Sequence, residues 1–447
     1  MSKKIYLAPL GCPKNQIDGE LMLARALAEG HEVVTDPDQA DVLVVNTCGF
    51  IDAAREESID TILELAEVKA RADGRRLVVT GCMAQRYTDE LAAEVSEIDA
   101  LVGTGAIDRF TDAVACAPRT HEPAVFMGAK HYLPSATMQR VVTETDGSAY
   151  LKVSEGCDHD CSFCVIPGIR GRHESRTIED VAAEAERLAG GGVVELNLIA
   201  QDLSAYGRDL GIDEGLARLL HRLGRVPGLE RVRCFYLYPN TLTDAALDAI
   251  ADVDNVCPYI DLPLQHADPG ILRAMRRARG ADQLRRIVER IRTRVGDVAI
   301  RTAFIVGFPG ETDEAFANLC RFVTEIRFDR VAVFNYSRED GSAAAALDGQ
   351  VPADIALRRR DELLALQEPI SEQRLSRHVG RTERVLVCGR DDGAGSWYGR
   401  TDFQAPEIDG VTLLGELPAA LTGRCVQARI TGSDLLDLYA EPLARPA

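Results

Sequence analysis

Three cysteines fall within the segment SEGCDHDCSFCVIPGIRG, spaced Cys157-x-x-x-Cys161-x-x-Cys164, and no fourth follows nearby. A closed structural zinc site takes four ligands. Three thiolates instead can hold three irons of a 4Fe–4S cluster and leave the fourth iron open for an exogenous ligand. The alternatives are a zinc site completed by His159 or His173, or three unrelated core cysteines. A second set is widely spaced: Cys12 in LGCPKN, Cys48 in NTCGF and Cys82 in TGCMAQRY lie 36 and 34 residues apart, each just after an apolar run. In an open parallel sheet, the loops that follow the strands share one edge, where ligands bind. Three thiols distant in sequence can therefore meet, and Gly11, Gly49 and Gly81 beside them would let backbone come close to a bulky cluster. The alternative is three buried structural cysteines.

The elements that must position these thiols follow from the apolar pattern. Residues 1–117 alternate strands and helices. KKIYLAPL, ADVLVVNT, RRLVVTG and IDALVG read as buried parallel strands. Ile59, Ile62, Leu63 and Ala66 recur at helical spacing between the second and third, with Gly74 as a stop. This is a doubly wound α/β pattern. Residues 118–142 lack periodicity and read as a linker. In residues 143–375, AYLKVS, VVELNLIA, RVRCFYL, CPYIDL, VAIRTAFIVG and VAVFNY alternate with helical segments. Six units rather than eight predict an incomplete (β/α)6 barrel, with Cys157, Cys161 and Cys164 after its first strand on the face where such barrels gather their sites. A charged helix over 352–378 precedes five short alternating runs. Residues 376–443 therefore read as a small antiparallel β-barrel.

Composition narrows the partners. The 447 residues carry a formal net charge of −19, which repels a phosphate backbone and favours a basic or neutral partner over naked RNA. The start of the chain has no apolar stretch of signal-peptide type, and no run is long enough to cross a membrane, so a cytoplasmic location is expected. In that reducing compartment, clustered cysteines point to metal or redox chemistry rather than disulfides. Cys116, Cys234, Cys257, Cys320, Cys388 and Cys425 have no metal spacing and read as buried hydrophobes. Trp397 and Phe403 of the last unit are candidate substrate contacts, with packing in a small core as the commoner outcome.

The first spacing, the adjoining VIPGIRG and the six-unit barrel resemble the radical S-adenosylmethionine enzymes. That resemblance implies a 4Fe–4S cluster on Cys157, Cys161 and Cys164 whose open iron binds S-adenosylmethionine. It further implies that Glu195, after Gly190-Gly191-Gly192, contacts the methionine amino group, and that Gly307 and Gly310 of IVGFPGET line the nucleoside. A strand-end carboxylate with no such role is the plain alternative for Glu195. With both cysteine sets present, the chain resembles the methylthiotransferases over essentially its whole length. These join an auxiliary-cluster domain, a radical barrel and a TRAM barrel. LGCPKN, EGCDHDCSFCVIP, LIAQDLSAYG, LYP, DLPLQH and APEIDG are similar to the ribosomal-protein type. In the type that modifies a tRNA adenosine, Gln-Met tends to replace Pro13-Lys14. One departure is Gly19 in DGE, where the family pattern has serine.

The resemblance implies two 4Fe–4S clusters, the second on Cys12, Cys48 and Cys82, and methylthiolation at the β-carbon of an aspartate in small-subunit ribosomal protein twelve, free or in the subunit. It also implies a reducing electron donor; neither a membrane nor direct nucleic-acid binding is expected. Charge agrees. Residues 1–118 hold 11 basic against 21 acidic side chains, and residues 376–447 hold 8 against 10. A barrel that grips RNA carries a basic face.

Overall fold

In the computed structural model, which describes residues 2–443 apart from 120, 131, 145, 278–279, 392, 394 and 419–420, the first unit is one parallel sheet. Its strands are β1 (Lys4–Pro9), β2 (Glu32–Val33), β3 (Val42–Thr47), β4 (Arg76–Gly81), β5 (Ala100–Val102) and β6 (Ala124–Phe126), in the order β2-β1-β3-β4-β5-β6. Val42 and Val44 pack under helix Pro13–Ala28 with Ile17, Leu21 and Met22, while Leu43 and Val45 face Ile62 and Leu65 of helix Asp52–Ala70. Both faces are covered, which is why the strands read as continuous apolar runs. The order reverses between β1 and β3, the switch point beside which ligands bind in such sheets.

Two expectations change. Strand β6 extends the sheet into the segment read as a linker, pairing with β5 through Leu101 and Val125. On helix Asp52–Ala70 the buried face is Ile62, Leu65 and Ala66, whereas Ile59 and Leu63 are 39% and 48% exposed. The helix is turned by about one residue from the expected stripe, because Leu65 and Val68 compete for the same core.

The second unit contains β7 (Ser148–Lys152), a short ribbon of β8 (Ser154–Glu155) against β9 (Glu174–Ser175), and β10 (Glu195–Ile199), β11 (Arg231–Cys234), β12 (Val256–Asp261), β13 (Ala299–Val306) and β14 (Arg330–Asn335). The long strands run parallel in the order β14-β13-β12-β11-β10-β7, an open six-stranded barrel. Leu196, Leu198, Val232, Ile300 and Phe304 pack outward on the helices. Tyr150, Ile199, Phe235 and Tyr259 share the cluster that Ala405 and Phe403 of the last unit join.

Helix Ala353–Ser376 leads to a closed barrel of β15 (Thr382–Asp391), β16 (Ser396–Arg400), β17 (Thr412–Leu414), β18 (Cys425–Ser433) and β19 (Leu438–Pro442), ordered β15-β16-β17-β19-β18. Trp397 is buried in its core with Val385, Leu414 and Ile430. This barrel seats on the amino ends of the radical-barrel strands. The Arg231 guanidinium donates to the Arg400 carbonyl at 2.7 Å, and that of Arg233 donates to the Asp402 carbonyl at 2.7 Å.

Glu195 belongs to this joint, which corrects its expected role. It is the first residue of β10, fully buried at the end of the strand opposite the cysteine loop, and it accepts from Arg400 at 2.9 Å and Arg233 at 3.2 Å. A strand's first and last residues face opposite ends of a barrel, so a carboxylate here cannot reach a ligand at the cysteine edge. Burial alone would raise its carboxyl; Arg400 and then Arg233 outweigh that and hold it below the usual range. Its stabilising contribution is therefore full at neutral pH and is lost as pH falls through the folded value. Glu195→Ala strands two buried guanidinium groups and should cost about 3–5 kcal/mol in urea denaturation, with S-adenosylmethionine affinity of the folded protein unchanged. A large loss of that affinity at parental stability would restore the ligand role.

Candidate active site at the facing sheet edges

The cysteine loop leaves the barrel through β8 and returns through β9. Gly156 makes the bend at φ +78°, and a Cβ there would lie 2.0 Å from the Arg172 carbonyl oxygen, so only glycine fits. The Cys157 amide donates to the Gly171 carbonyl at 3.1 Å. Ser162 staples the loop to the barrel edge: its hydroxyl donates to the Ala274 carbonyl at 2.7 Å, its amide donates to the Met275 carbonyl, and its carbonyl accepts from the Ala344 amide. Phe163 packs with Phe308, inside the glycine-bearing turn after β13. Gly307 and Gly310 thus lie at the same carboxyl edge as the cysteines. Both have positive φ, and Glu311 accepts from the Gly307 amide.

Burial pushes the Cys157 and Cys164 thiols up to about 11 and 12. Loading a metal centre must therefore release protons from them. An Arg277 N–H points at the Cys161 sulfur at 3.5 Å. The same guanidinium lies 4.1 Å from the centroid of the Tyr238 ring, which stacks on His159 at 3.7 Å.

The other three cysteines follow β1, β3 and β4 and lie along one carboxyl edge of the sheet, at the switch point. Their glycines are needed for the close approach of the turns. A Cβ on Gly11 would lie 3.0 Å from the Cys48 Cβ, one on Gly49 2.8 Å from the Met83 backbone, and one on Gly81 2.5 Å from the Thr47 carbonyl oxygen. Each glycine admits the neighbouring turn. Asn15 ties the turns together: its amide donates to the Thr47 carbonyl at 2.8 Å, and its Oδ1 accepts from the Cys82 thiol at 3.4 Å. Burial pushes Cys82 up to about 12, with Arg170 pulling the other way.

The two sets face each other across a buried ionic joint. Arg170, of VIPGIRG, donates to the Cys82 sulfur at 3.3 Å and pairs with Asp18 and Glu155 at 3.0 Å each. Lys152 bridges the same two carboxylates. Beside it, Arg140 pairs with Glu20 at 2.6 Å. Farther along the edge, Arg55 and Arg86 of the first unit hold the buried carboxylate of Glu339. Both carboxylates of DGE thus carry the joint, and Gly19 between them leaves room where a Cβ would sit 3.3 Å from the Asn46 amide. Lys14, buried two residues after Cys12, places its ammonium over the Tyr236 ring, and desolvation pushes it down to about 8.

Sequence reasoning named the six cysteines but missed Lys14, Asn15, Arg170 and Arg277. The first three sit inside the quoted motifs LGCPKN and VIPGIRG, so the signal was present; Arg277 had none.

The donor sets fit iron–sulfur clusters. Each is three thiols without a carboxylate or imidazole, the soft set such clusters select. Among the described residues, no three His, Cys, Asp or Glu side chains converge on one ion position. The histidines of the zinc alternative are engaged elsewhere, His159 with Asp202 at 2.7 Å and His173 with Ser175 at 3.0 Å.

An open six-stranded parallel barrel with a three-cysteine loop at its carboxyl edge defines a radical S-adenosylmethionine enzyme. The sequence matches the Radical SAM superfamily over residues 151–323, the uncharacterized protein family UPF0004 over 4–103 and the TRAM domain over 379–443. It is 44% identical over 446 residues to the ribosomal protein uS12 methylthiotransferase RimO of Anaeromyxobacter sp. strain K, covering 100% of this chain and 94% of that protein. It is 46% identical to that of Sorangium cellulosum, covering 99% and 91%. Among solved structures, the radical S-adenosylmethionine methyltransferase TsrM from Kitasatospora setae shares the fold, with a TM-score of 0.55 at 16% identity over 75% of each chain. The chain belongs to the RimO family of radical S-adenosylmethionine methylthiotransferases. Membership implies one 4Fe–4S cluster and S-adenosylmethionine. No helix among the described residues is long and apolar enough to cross a membrane.

Proposed function

We propose that this enzyme methylthiolates the β-carbon of an aspartate in ribosomal protein uS12, using two clusters, one on Cys157, Cys161 and Cys164 and a second on Cys12, Cys48 and Cys82. The observation that carries the reading is that both three-thiol sets face one interface, joined through Arg170 and Cys82. The chemistry these groups supply when bound is reductive cleavage of S-adenosylmethionine, hydrogen abstraction from the aspartate and delivery of sulfur and methyl. The chain's own contribution is position and environment. The ribbon β8–β9 and Ser162 fix the first loop, and the interlocked glycine turns and Asn15 fix the second. The ion pairs of Asp18, Glu20 and Glu339 hold the two edges together, and burial excludes water between them. Gly307 and Gly310, at the same edge, line the nucleoside.

The acidic first unit and the net-acidic last barrel support a basic protein substrate, taken free or in the assembled subunit, in the cytoplasm. A tRNA substrate would need a basic track. The arginines between the two cysteine edges are instead neutralised by Asp18, Glu20, Glu155 and Glu339. Mass spectrometry on a host strain lacking this gene tests the reading. One small-subunit protein should lose the mass of sulfur plus a methylene at an aspartate, with tRNA nucleosides unchanged. Loss of a methylthio group from a tRNA adenosine would overturn it.

A further inference from the structure

Although the chain carries a net charge of −19, a cleft of about 990 Å³ is lined by Arg277, Arg285, Arg286, Arg290 and Arg321. The cleft lies outside the barrel's carboxyl edge, between the turns after β11 and β12 and the helices Ala281–Val295 and Asp313–Ile326. Asp282 is the sole carboxylate of the described lining, and it pairs with Arg285, which also holds Glu325. Arg290 faces Asp244 at 3.6 Å. Arg277, Arg286 and Arg321 have no carboxylate partner among the described residues. Arg277 donates to the Pro263 carbonyl and Arg321 to the Asn318 side chain. Arg286 and Arg321, without a carboxylate partner, stand in one concavity with Arg277, and in a strongly acidic protein they set up a local field opposite to the overall one.

The cleft is also connected to the cysteine loop. Arg277 forms part of its wall and places an N–H on the Cys161 sulfur. Residues 274–277 cover that flank of the loop through the two bonds from Ser162. The first unit, reached through Arg170, covers another. One side chain therefore touches both the cleft and a ligand of the radical centre.

We propose that this cleft docks an acidic one-electron carrier protein that reduces the cluster held by Cys157, Cys161 and Cys164. The inference rests on the assignment of those cysteines made above. The carrier is oxidised by one electron and the cluster reduced by one; no bond or proton moves. Encounters of redox proteins use small contact areas and are steered by opposite charge, which suits a compact arginine cleft beside the centre to be reduced. A grip on single-stranded RNA interleaves cations with stacking aromatics, and no aromatic side chain is among the described residues lining this cleft.

The test compares the holoenzyme with its Arg286→Glu/Arg321→Glu variant; both arginines are exposed and neither belongs to the ligand sets. The probe is a reduced, acidic plant-type ferredoxin, with dithionite as the small reductant. Ferredoxin affinity, read by calorimetry at low and high salt, should fall at least tenfold in the variant. Bleaching of the cluster by ferredoxin, read by stopped flow, should slow by a similar factor while bleaching by dithionite keeps its rate. Parental affinity and rate with ferredoxin would overturn the proposal. So would equal slowing with both reductants in this variant and in Arg286→Gln/Arg321→Gln, which would assign the arginines to cluster integrity. Weakened binding of a small-subunit ribosomal RNA fragment with unchanged ferredoxin kinetics would make the cleft an RNA site. If the cysteine assignment itself were wrong, dithionite would not bleach the parent protein at that centre, a failure separate from that of docking.

Discussion

Cys161→Ala should abolish reductive cleavage of S-adenosylmethionine and remove the iron and sulfide of one cluster, while the other stays bound. Cys48→Ala should do the reverse, leaving cleavage to 5′-deoxyadenosine intact and eliminating methylthiolated product. The asymmetry follows from the geometry. The loop carrying Cys161 is fixed by its own barrel edge through Ser162 and Gly156. Cys48 sits in a different sheet, between the turns of Gly11 and Gly81. With two of three thiolates left, a cluster keeps an extra open iron and is lost or degraded. Iron and sulfide analysis with chromatography of 5′-deoxyadenosine reads both variants. Product at normal turnover from Cys48→Ala would show that the first unit does not supply the second centre.

Arg170→Gln is expected to destabilise the protein by about 3–5 kcal/mol, the cost of breaking a buried ionic group from one side, and to weaken the joint between the two cysteine edges. The guanidinium is enclosed by Asp18, Glu155, Asn15 and the Cys82 sulfur. Burial would raise the Glu155 carboxyl, but Arg170 and Lys152 pull it down to about 2. A depressed carboxyl stabilises the fold above its unfolded value, and the contribution disappears as pH falls from the ordinary carboxylate range towards 2. The variant should therefore show a smaller stability difference between neutral and acid pH than the parent, measured by urea midpoints.

A second readout separates structure from tuning. An N–H on a cluster thiolate stabilises the reduced state, so the potential of the second cluster proposed above, with Cys82 among its ligands, should move to more negative values in Arg170→Gln. Arg170→Lys keeps the charge but loses the fork that reaches carboxylates and sulfur together, and should recover much of the stability and less of the potential. An Arg170→Gln protein as stable as the parent, with an unshifted potential, would mean that the joint is held by Arg140 and Glu339 alone.

Much of the architecture was legible in the sequence because it is set locally. Strands such as VLVVNT, covered on both faces, must be apolar throughout, and the six barrel strands and five C-terminal strands all formed where the runs lie. The three cysteines of the loop are close because eight residues cannot separate them far. Cys12, Cys48 and Cys82 were placed at one edge by topology, since successive parallel strands end on the same side. Strand β6 was missed because three residues with one exposed valine carry no period. Glu195 was misplaced because its role was carried over from a motif, while its position is set by which end of β10 it occupies.

What the sequence by itself determined is the chemistry available: two sets of three thiols on parallel sheet edges, and the family that pairs them. Only the tertiary structure decided how those edges meet. Lys152 and Asp18 are 134 residues apart in the chain, and Arg170 and Cys82 are 88 apart. Such pairs have no period and no spacing, because a charge is compensated by whatever packing brings into reach once water is excluded. The same exclusion made Arg170 a joint between the two cysteine edges and Glu195 a footing for the last barrel.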